Sequence, residues 1–336
     1  MKKRIRWGIL STAKIGRNSV IPAILKSELG EVRAICSRGI ERAQEVAKEL
    51  GIPVAYGSYE ELLGDPEIDA IYNPLPNNLH LEWNVKIMEA GKHLLCEKPL
   101  GLTVAEVEEM IRVRDRCGVK AGEAFMSKSH PQWADIRKRI HGGELGKVRM
   151  LQSAFCYHNT DPDNIRNIPA MGGGGVWDIG CYCITMSRFV FEEEPLRVVA
   201  SLEKDPKFGT DRLSSVIMDF PSGQSHFGVS TQAALFQRMQ IIGDEGHMEV
   251  RIPFTPPINQ STHMDQDKGS YLPQDLVRHE YDTVDQYSCM ADAFAKAILE
   301  DGEVPVSFED ALKNTRVLTA VYRSGESGAW EVVGSG

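Results

Sequence analysis

The sequence predicts an α/β protein of two domains: an N-terminal doubly wound parallel sheet, then an α+β domain built on a large, mostly antiparallel sheet. Strand and helix signals alternate through the first third of the chain, and longer strands with alternating apolar residues follow from about residue 125. A length of 336 residues suits two domains, which we assign to residues 1–123 and 124–336. The last helix is expected to pack back on the first domain.

The first domain is expected to contain six strands with helices between them. Pro22 fits the first turn of a helix that ends near Leu29, and Gly51 and Gly91 stop two later helices. Strands that alternate with helices form a parallel sheet with right-handed crossovers, and ligands sit beyond the carboxyl ends of its strands. The expected strands are RIRWGIL, EVRAICS, VAYG, IDAIYNPLP, KHLLCE and KAGEAFM, and the later helices are IERAQEVAKELG, YEELLGDPE, HLEWNVKIMEAG and TVAEVEEMIRVRDRCG.

The second domain shows long strands with period-two alternation. Pro221 to Gly223 and Gly243 to Gly246 have the composition of hairpin turns. Two amphipathic helices, DQYSCMADAFAKAILEDG and FEDALKNTRVLTAVYRSGESG, end the chain. The expected strands lie in KVRMLQSAFCYH, RVVASLEKD, RLSSVIMDFPSGQSHFGVSTQ and RMQIIGDEGHMEVRI.

Composition argues against several classes of function. The net charge of −9 disfavours binding to nucleic acid or to an anionic membrane, and no apolar run approaches the ~20 residues of a membrane helix. The basic, then apolar start MKKRIRWGIL is interpreted as the first strand, not as a signal peptide. Seven cysteines without a Cys-x-x-Cys pair indicate reduced thiols in a cytoplasmic protein, and no metal site is expected.

The segment GILSTAKIG joins the first strand to the first helix. A dinucleotide-binding turn places glycine at three positions, which here hold Ser11, Ala13 and Gly16. Serine and alanine are small enough to let the backbone approach a phosphate at the helix N-terminus, and Ser11 adds a hydroxyl. An ordinary tight turn is the alternative, which the surrounding strand–helix–strand pattern disfavours.

The second strand ends without the acidic residue that binds the ribose of NAD. Ser37 and Arg38 stand there instead. An arginine suits a 2′-phosphate, which it can contact with two hydrogen bonds. The position therefore favours NADP, and a solvated loop arginine is the alternative.

The fifth strand ends in Glu97, Lys98 and Pro99. A charge at that edge of the sheet is costly if it is buried without a partner. Lys98 can contact substrate hydroxyls or the nicotinamide ribose and can lower the pKa of a neighbouring acid, while Glu97 can hold the lysine in place. Pro99 lacks an N–H group and ends the strand ladder. A surface ion pair that caps the strand is the alternative.

The segment GGGGVWDIGCYC carries the fourth motif. Four glycines allow close backbone approach to a ligand, and Asp178 and Tyr182 share a face if the segment is helical. A tyrosine can act as acid or base in carbonyl–alcohol interconversion when a cation lowers its pKa. The alternative is a helix-capping Asp178 beside a half-buried Tyr182.

Together these motifs resemble one known family. GILSTAKIG, NPLPNNLH, EKPL, NIRNIPAMGGGGVWDIGCYC and AVYRSGESG are similar to segments of the glucose–fructose oxidoreductase / inositol dehydrogenase family (Gfo/Idh/MocA), and they span nearly the whole chain. Tyr182 and the Ser37-Arg38 pair resemble the branch with glucose–fructose oxidoreductase, dimeric dihydrodiol dehydrogenase and NADP-dependent D-xylose dehydrogenase. The resemblance implies a Rossmann domain followed by an open-faced α/β substrate domain.

The resemblance also implies the roles of individual residues. Lys98, Asp178 and Tyr182 take the catalytic positions, in which Tyr182 relays the hydroxyl proton, Lys98 stabilises the phenolate and Asp178 positions the substrate. Asn77 and His80 shape the loop near nicotinamide, and Arg166 reaches the cofactor or a substrate oxygen. The expected cofactor-binding residues are Ser11, Thr12, Ala13, Lys14, Ile15, Ser37, Arg38, Leu75, Asn77, His80, Glu97, Lys98 and Arg166.

The expected activity is NADP-dependent hydride transfer to or from a carbon of a sugar or related polyol. Two alternatives remain open: a non-catalytic NADP-binding sensor of the same fold, and an NAD-assisted glycosidase. We expect a small-molecule substrate, no nucleic-acid or membrane partner, and a homodimer or higher homo-oligomer packed sheet to sheet, by symmetry preference and by the resemblance.

Overall fold

The computed structural model describes residues 4–269 and 275–334, and the chain divides into two compact units. The first unit comprises Met1–Ser129 and Asp285–Leu312. The second comprises His130–Val284 and Lys313–Gly336. The first unit therefore includes residues 285–312, although the sequence predicts that every residue after 123 belongs to the second domain.

The first unit is built on a parallel sheet in the order β3-β2-β1-β4-β5-β6. This confirms the expected doubly wound sheet. The chain leaves β1 toward β2 on one side and returns to β4 on the other, so a switch point lies between the carboxyl ends of β1 and β4. The elements are β1 Ile5–Leu10, α1 Ile21–Lys26, β2 Gly30–Cys36, α2 Ile40–Leu50, β3 Val54–Tyr56, α3 Tyr59–Leu63, β4 Ala70–Asn73, α4 His80–Glu89, β5 His93–Glu97, α5 Val104–Cys117 and β6 Ala121–Ala124.

Local signals explain where these helices begin and end. Pro22 lies in the first turn of α1 as predicted, but α1 ends at Lys26 and not near Leu29. The physical reason is Ser27, which leaves the helical conformation and whose Oγ accepts hydrogen bonds from the N–H groups of Leu29 and Gly30. Gly51 ends α2 with φ +69°, a conformation that favours glycine.

The second unit contains a sheet of nine described strands in the order β14-β13-β12-β11-β7-β10-β9-β8-β15. Both predicted hairpins are present, β9–β10 and β11–β12, and among the described strands of this sheet only β7 and β10 pair in parallel. The expected mostly antiparallel sheet is confirmed. Its elements are α6 Pro131–His141, β7 Val148–His158, α7 Cys181–Phe191, β8 Arg197–Lys204, β9 Asp211–Asp219, β10 Gln224–Ser230, β11 Gln232–Gly243, β12 His247–Val250, β13 Thr262–Asp267, β14 Val277–Tyr281 and β15 Glu331–Val332.

The two late helices are α8 Gln286–Leu299 and α9 Phe308–Ser327. Helix α8 joins the first unit, where the Phe294 ring lies 5.7 Å from that of Trp7 on β1. The first turn of α9 also belongs to this unit, because Phe308 and Ala311 are buried in its core. These apolar contacts explain why residues 285–312 group with the parallel sheet. No helix in residues 4–269 or 275–334 is long and apolar enough to cross a membrane.

Candidate active site

The loop after β1 carries five predicted cofactor-binding residues, from Ser11 to Ile15. Ser11 has φ +94°, in the left-handed region that a glycine adopts without cost. Its Oγ accepts a hydrogen bond of 3.3 Å from the N–H of Ala13, which holds the turn closed. Lys14 is exposed, whereas Thr12 and Ile15 are half-buried. The loop thus keeps a glycine-like backbone although serine stands at the first glycine position.

The end of β2 presents Ser37 and Arg38. The N–H of Ser37 bonds the carbonyl of Tyr56 at 3.2 Å, which fixes the turn after the strand. Arg38 is exposed, and no carboxylate in the described part of the chain forms an ion pair with it. Burial raises the pKa of Tyr59, and the Arg38 charge acts in the opposite direction. Arg38 is therefore an exposed cation near Tyr59 that forms no ion pair within residues 4–269 and 275–334.

His80 ties together the two loops that follow β4 and β5. Its Nε2 lies 2.8 Å from the carbonyl oxygen of Leu75, and its Nδ1 lies 2.9 Å from that of Pro99. The ring is fully buried, and burial lowers the pKa of His80 although the two carbonyl groups favour the charged form. Asn77 is half-buried in the loop between. His80 therefore fixes the backbone next to Lys98.

Glu97 and Lys98 end β5 at the edge of the sheet. The hydroxyl of Tyr72 donates to Glu97 Oε1 at 2.6 Å, and the N–H of Lys98 donates to Glu97 Oε2 at 3.3 Å. Tyr72 is fully buried, and burial, reinforced by the Glu97 carboxylate, raises the pKa of its hydroxyl. A Cβ added at Gly16 would lie 3.6 Å from the Tyr72 ring. The loop after β1 and the turn after β5 thus meet through Tyr72.

Glu123 is a residue of this unit that sequence reasoning missed. It lies on β6 with 4% exposure, and its Oε1 accepts a 2.9 Å hydrogen bond from the N–H of Leu100. The pKa of Glu123 is raised to about 7, because burial outweighs that hydrogen bond and the charges of Lys128 and Lys98. The available signal was a glutamate inside the apolar strand KAGEAFM.

In the second unit, Asp178 lies in a π-helical turn, Val176–Gly180, that leads directly into α7. Its Oδ2 accepts hydrogen bonds from the Tyr157 hydroxyl at 2.7 Å and from Arg166 Nε at 2.8 Å. The Asp178 carboxylate raises the pKa of the Arg166 guanidinium, and the Tyr157 and Tyr182 hydroxyls act in the same direction. Arg166 was predicted to reach cofactor or substrate, and here it holds Asp178. Tyr157 was missed, because its strand pattern marks it only as one residue of β7.

Tyr182 lies in the first turn of α7 and is 5% exposed. Its ring meets Phe155 edge to face at 5.6 Å and lies 5.9 Å from the ring of Phe254. Phe155 and Phe254 stack on each other at 5.1 Å. Aromatic packing therefore restricts the Tyr182 side chain.

The glycine-rich segment is explained by contacts within its own unit. A Cβ at Gly173 would lie 2.6 Å from the carbonyl oxygen of Arg166, and a Cβ at Gly174 would collide with Asp211. Gly174 has φ +128°, and its N–H bonds the Arg166 carbonyl at 2.9 Å. The glycines thus allow the chain to fold closely around Arg166 and Asp211, whereas the sequence analysis assigned them to the approach of a ligand.

The predicted residues fall into two groups. Lys98 and the residues from Ser11 to Glu97 belong to the first unit, and Arg166, Asp178 and Tyr182 belong to the second. Within residues 4–269 and 275–334, no three His, Cys, Asp or Glu side chains are grouped so that they could hold a metal ion.

Two family models match the chain in succession. The model described as "Oxidoreductase family, NAD-binding Rossmann fold" matches residues 5–125. The model described as "GFO/IDH/MocA C-terminal domain" matches residues 133–249.

Individual proteins are similar over nearly the full length. The chain is 43% identical over 331 residues to an uncharacterized oxidoreductase of Rhizobium meliloti, covering 98% of this chain and 99% of the relative. It is 38% identical over 331 residues to D-xylose 1-dehydrogenase (NADP(+)) 2 of Haloferax volcanii, covering 96% and 98%. The solved structure of a 3-ketoreductase from Actinomadura kijaniata with NADP and TDP-benzene matches with a TM-score of 0.89 at 26% identity, covering 96% of this chain and 98% of that one.

Proposed function

Because the chain belongs to the GFO/IDH/MocA oxidoreductase family, we propose that it is an NADP-dependent enzyme that oxidises or reduces a carbon of a sugar or related polyol. The family and the oxidoreductase class agree with the expectation from the sequence. When bound, the dinucleotide supplies or accepts the hydride at nicotinamide C4. The observation that carries the proposal is the hydrogen-bonded set of Asp178, Arg166 and Tyr157, which leads into the helix that bears Tyr182.

The residues of the first unit are proposed to hold NADP. The loop from Ser11 to Ile15 offers backbone N–H groups and a hydroxyl to phosphate, in a glycine-like conformation. Ser37 and Arg38 take the 2′-phosphate, which is supported by the absence of an ion pair at Arg38 among the described residues. His80 holds the Leu75 and Pro99 backbone, so that Asn77, Glu97 and Lys98 keep their positions at the nicotinamide end.

The residues of the second unit are proposed to hold the substrate. Asp178 accepts a hydrogen bond from a substrate hydroxyl, and Arg166 and Tyr157 hold its carboxylate in place. Tyr182 takes or gives the proton of the reacting oxygen. That Lys98 stabilises the phenolate stays a prediction from the resemblance. A xylose dehydrogenase relative supports a sugar as substrate.

An absorbance screen for NADPH formation tests this function. The purified protein is incubated with NADP and a panel of pentoses, hexoses and dihydrodiols, with NAD as the matched control. We expect turnover of at least one sugar and faster turnover with NADP. Tight NADPH binding without turnover of any compound would favour the non-catalytic sensor, and failure to bind NADPH would overturn the proposal.

We also propose that the protein forms a homodimer through the outer face of the nine-stranded sheet. On β9, Leu213 and Ile217 are 48% and 40% exposed, and they alternate with buried Val216 and Met218. At Gly228, on the adjacent strand β10, an added Cβ would meet no atom within 4 Å. An apolar face with small residues suits packing against a second copy.

The variant Gly228→Arg tests the dimer, because the arginine fits the isolated chain but stands on the proposed interface. We expect light scattering to find two chains for the natural protein and one for this variant. The control Gly302→Arg lies in the first unit, where an added Cβ is 4.0 Å from the nearest atom, and should stay dimeric. A monomeric natural protein or a dimeric Gly228→Arg would contradict the proposal.

A further inference from the structure

Asp211 is a buried carboxylate outside the set of predicted site residues. It begins β9 with 3% exposure, in the second unit. Its Oδ1 accepts a 2.7 Å hydrogen bond from the Tyr322 hydroxyl, and its Oδ2 accepts from the Val176 N–H at 2.7 Å and from Ser214 Oγ at 3.1 Å. A buried carboxylate is costly unless such donors surround it. The three bonds meet that cost, and the presence of a carboxylate at this position needs an explanation.

The glycine-rich segment is shaped around this carboxylate. A side chain at Gly174 would collide with Asp211 Oδ1 and would stand 2.9 Å from the Tyr322 oxygen. At Gly175 a Cβ would be 3.3 Å from both Oδ2 and the backbone oxygen of Asp211. The chain therefore approaches Asp211 as closely as glycine permits.

The bond to Val176 fixes the start of the helix that carries the proposed substrate residues. Val176 is the first residue of the π-helical turn, two residues before Asp178 and six before Tyr182. A carboxylate that accepts from a helix's first N–H groups stabilises that end and sets where the helix begins. The position of Val176 thereby sets the direction in which both later side chains point.

Tyr322 supplies a second tie to the same turn. Its ring, on α9, stacks on the Trp177 ring at 5.5 Å and 23°. Its hydroxyl is the donor to Asp211 Oδ1. One tyrosine thus contacts both the carboxylate and the residue that follows Val176.

We propose that Asp211, with Tyr322, is a positioning residue that orients Asp178 and Tyr182 for the reaction, an inference that rests on the proposed function of those two residues. Arg166 and Tyr157 hold the Asp178 side chain, whereas Asp211 holds the backbone from which Asp178 and Tyr182 project. The two sets of contacts use different side chains, so a substitution can remove one set of side-chain hydrogen bonds at a time.

Asp211→Asn and Tyr322→Phe test the proposal. Asparagine keeps the shape but turns an NH₂ group toward a donor, and phenylalanine keeps the stack on Trp177 but loses the hydroxyl. The matched control is Tyr281→Phe, which removes a 2.8 Å tyrosine–carboxylate bond to Asp135 in the same unit. For each protein we would measure kcat, KM for the sugar, Kd for NADPH and amide hydrogen exchange over residues 174–182.

We expect both test variants to lower kcat about 10–100-fold and to raise exchange over residues 174–182 at least about 10-fold. NADPH affinity should stay unchanged, and the control should match the natural protein in every measurement. Unchanged exchange, unchanged kcat, or a rise in exchange throughout the chain would each overturn the proposal. If the natural protein turns over no sugar, the proposed function fails, and the exchange measurement still decides whether Asp211 orders the segment.

Discussion

In the first unit the candidate residues follow the ends of strands in one parallel sheet, whereas in the second they come from a strand, a 3₁₀ turn, a helix start and the last helix. Ser11, Ser37 and Lys98 each lie just after a strand of one sheet. Around Asp178, by contrast, Tyr157 lies on β7 and Arg166 on a short 3₁₀ turn, and Tyr322 on α9 contacts Trp177. Parallel crossovers bring strand ends together by rule, but the second arrangement depends on contacts that no local pattern encodes.

The largest expected effect is on kcat, and it tests whether Tyr182 and Lys98 act together in catalysis. Tyr182→Phe removes the proposed proton relay and should lower kcat by roughly 10²–10⁴-fold with little change in NADPH binding. Lys98→Met should lower kcat similarly. The double variant should be little worse than either single variant, because groups that act as a unit are not additive. Steady-state kinetics and NADPH titration provide the measurements. Near-normal turnover by Lys98→Met would reduce the Glu97-Lys98-Pro99 segment to a strand cap.

The second prediction concerns Glu123, the buried carboxyl of the first unit. Its pKa is about 7 when folded, against an ordinary value of 4.5, so the folded state binds the proton more tightly. The stability that this gives is present below pH 4.5 and is lost as the pH rises through 7. Glu123→Gln cannot titrate at this position. Between pH 4.5 and 8, the free energy of unfolding of the natural protein should therefore fall by about 3 kcal/mol relative to that of the variant.

Urea unfolding at pH 4.5 and pH 8 measures this difference, and Glu309→Gln is the matched control in the same unit. Arg114 lowers the pKa of Glu309 through a hydrogen bond, so ionised Glu309 adds stability above its ordinary pKa. Most of that stability is already present at pH 4.5, so the stability of the control relative to the natural protein should change little between pH 4.5 and pH 8. Parallel pH profiles of Glu123→Gln and the natural protein would show that folding does not raise the pKa of Glu123.

The parallel strands of the first unit and Asp211 of the second show how far the sequence could predict the site. The six parallel strands and their loops could be predicted from alternation and from turn residues, which act over a few positions. Asp211 could not, because it meets Val176 and Tyr322 across 35 and 111 residues of chain. Strand pairing and helix packing create such contacts, and they leave no period in the sequence. The glycines at 172–175 could be identified in the sequence, but the close contacts with Arg166 and Asp211 that require them could not be predicted.

The third prediction tests whether Arg38, which follows β2, binds the 2′-phosphate of NADP. Arg38→Ala should weaken NADP binding by roughly 1.5–3 kcal/mol, the worth of a charge-assisted hydrogen-bonded contact, and leave NAD binding little changed. Calorimetric titration with both dinucleotides measures the two affinities. Arg42→Ala is a control, since Arg42 is also exposed but pairs with Glu45. Equal weakening of NADP and NAD binding would overturn the prediction that Arg38 contacts the 2′-phosphate.

The smallest expected effect concerns Ser11, which stands where the dinucleotide fingerprint has glycine. At φ +94° a serine is strained by roughly 1–3 kcal/mol, part of which the hydrogen bond from the Ala13 N–H to its Oγ returns. Ser11→Gly removes both strain and hydroxyl, so we expect stability to change by no more than about 1 kcal/mol. If the hydroxyl contacts a phosphate, the same variant should weaken NADPH binding about 5- to 10-fold, as loss of one hydrogen bond would. Ser11→Ala is the matched comparison, because it loses the hydroxyl but keeps the strain. Thermal unfolding and NADPH titration of both variants separate the two effects. If both variants bind NADPH as the natural protein does, the loop acts through its backbone alone, and the serine is present only because its hydroxyl closes the turn.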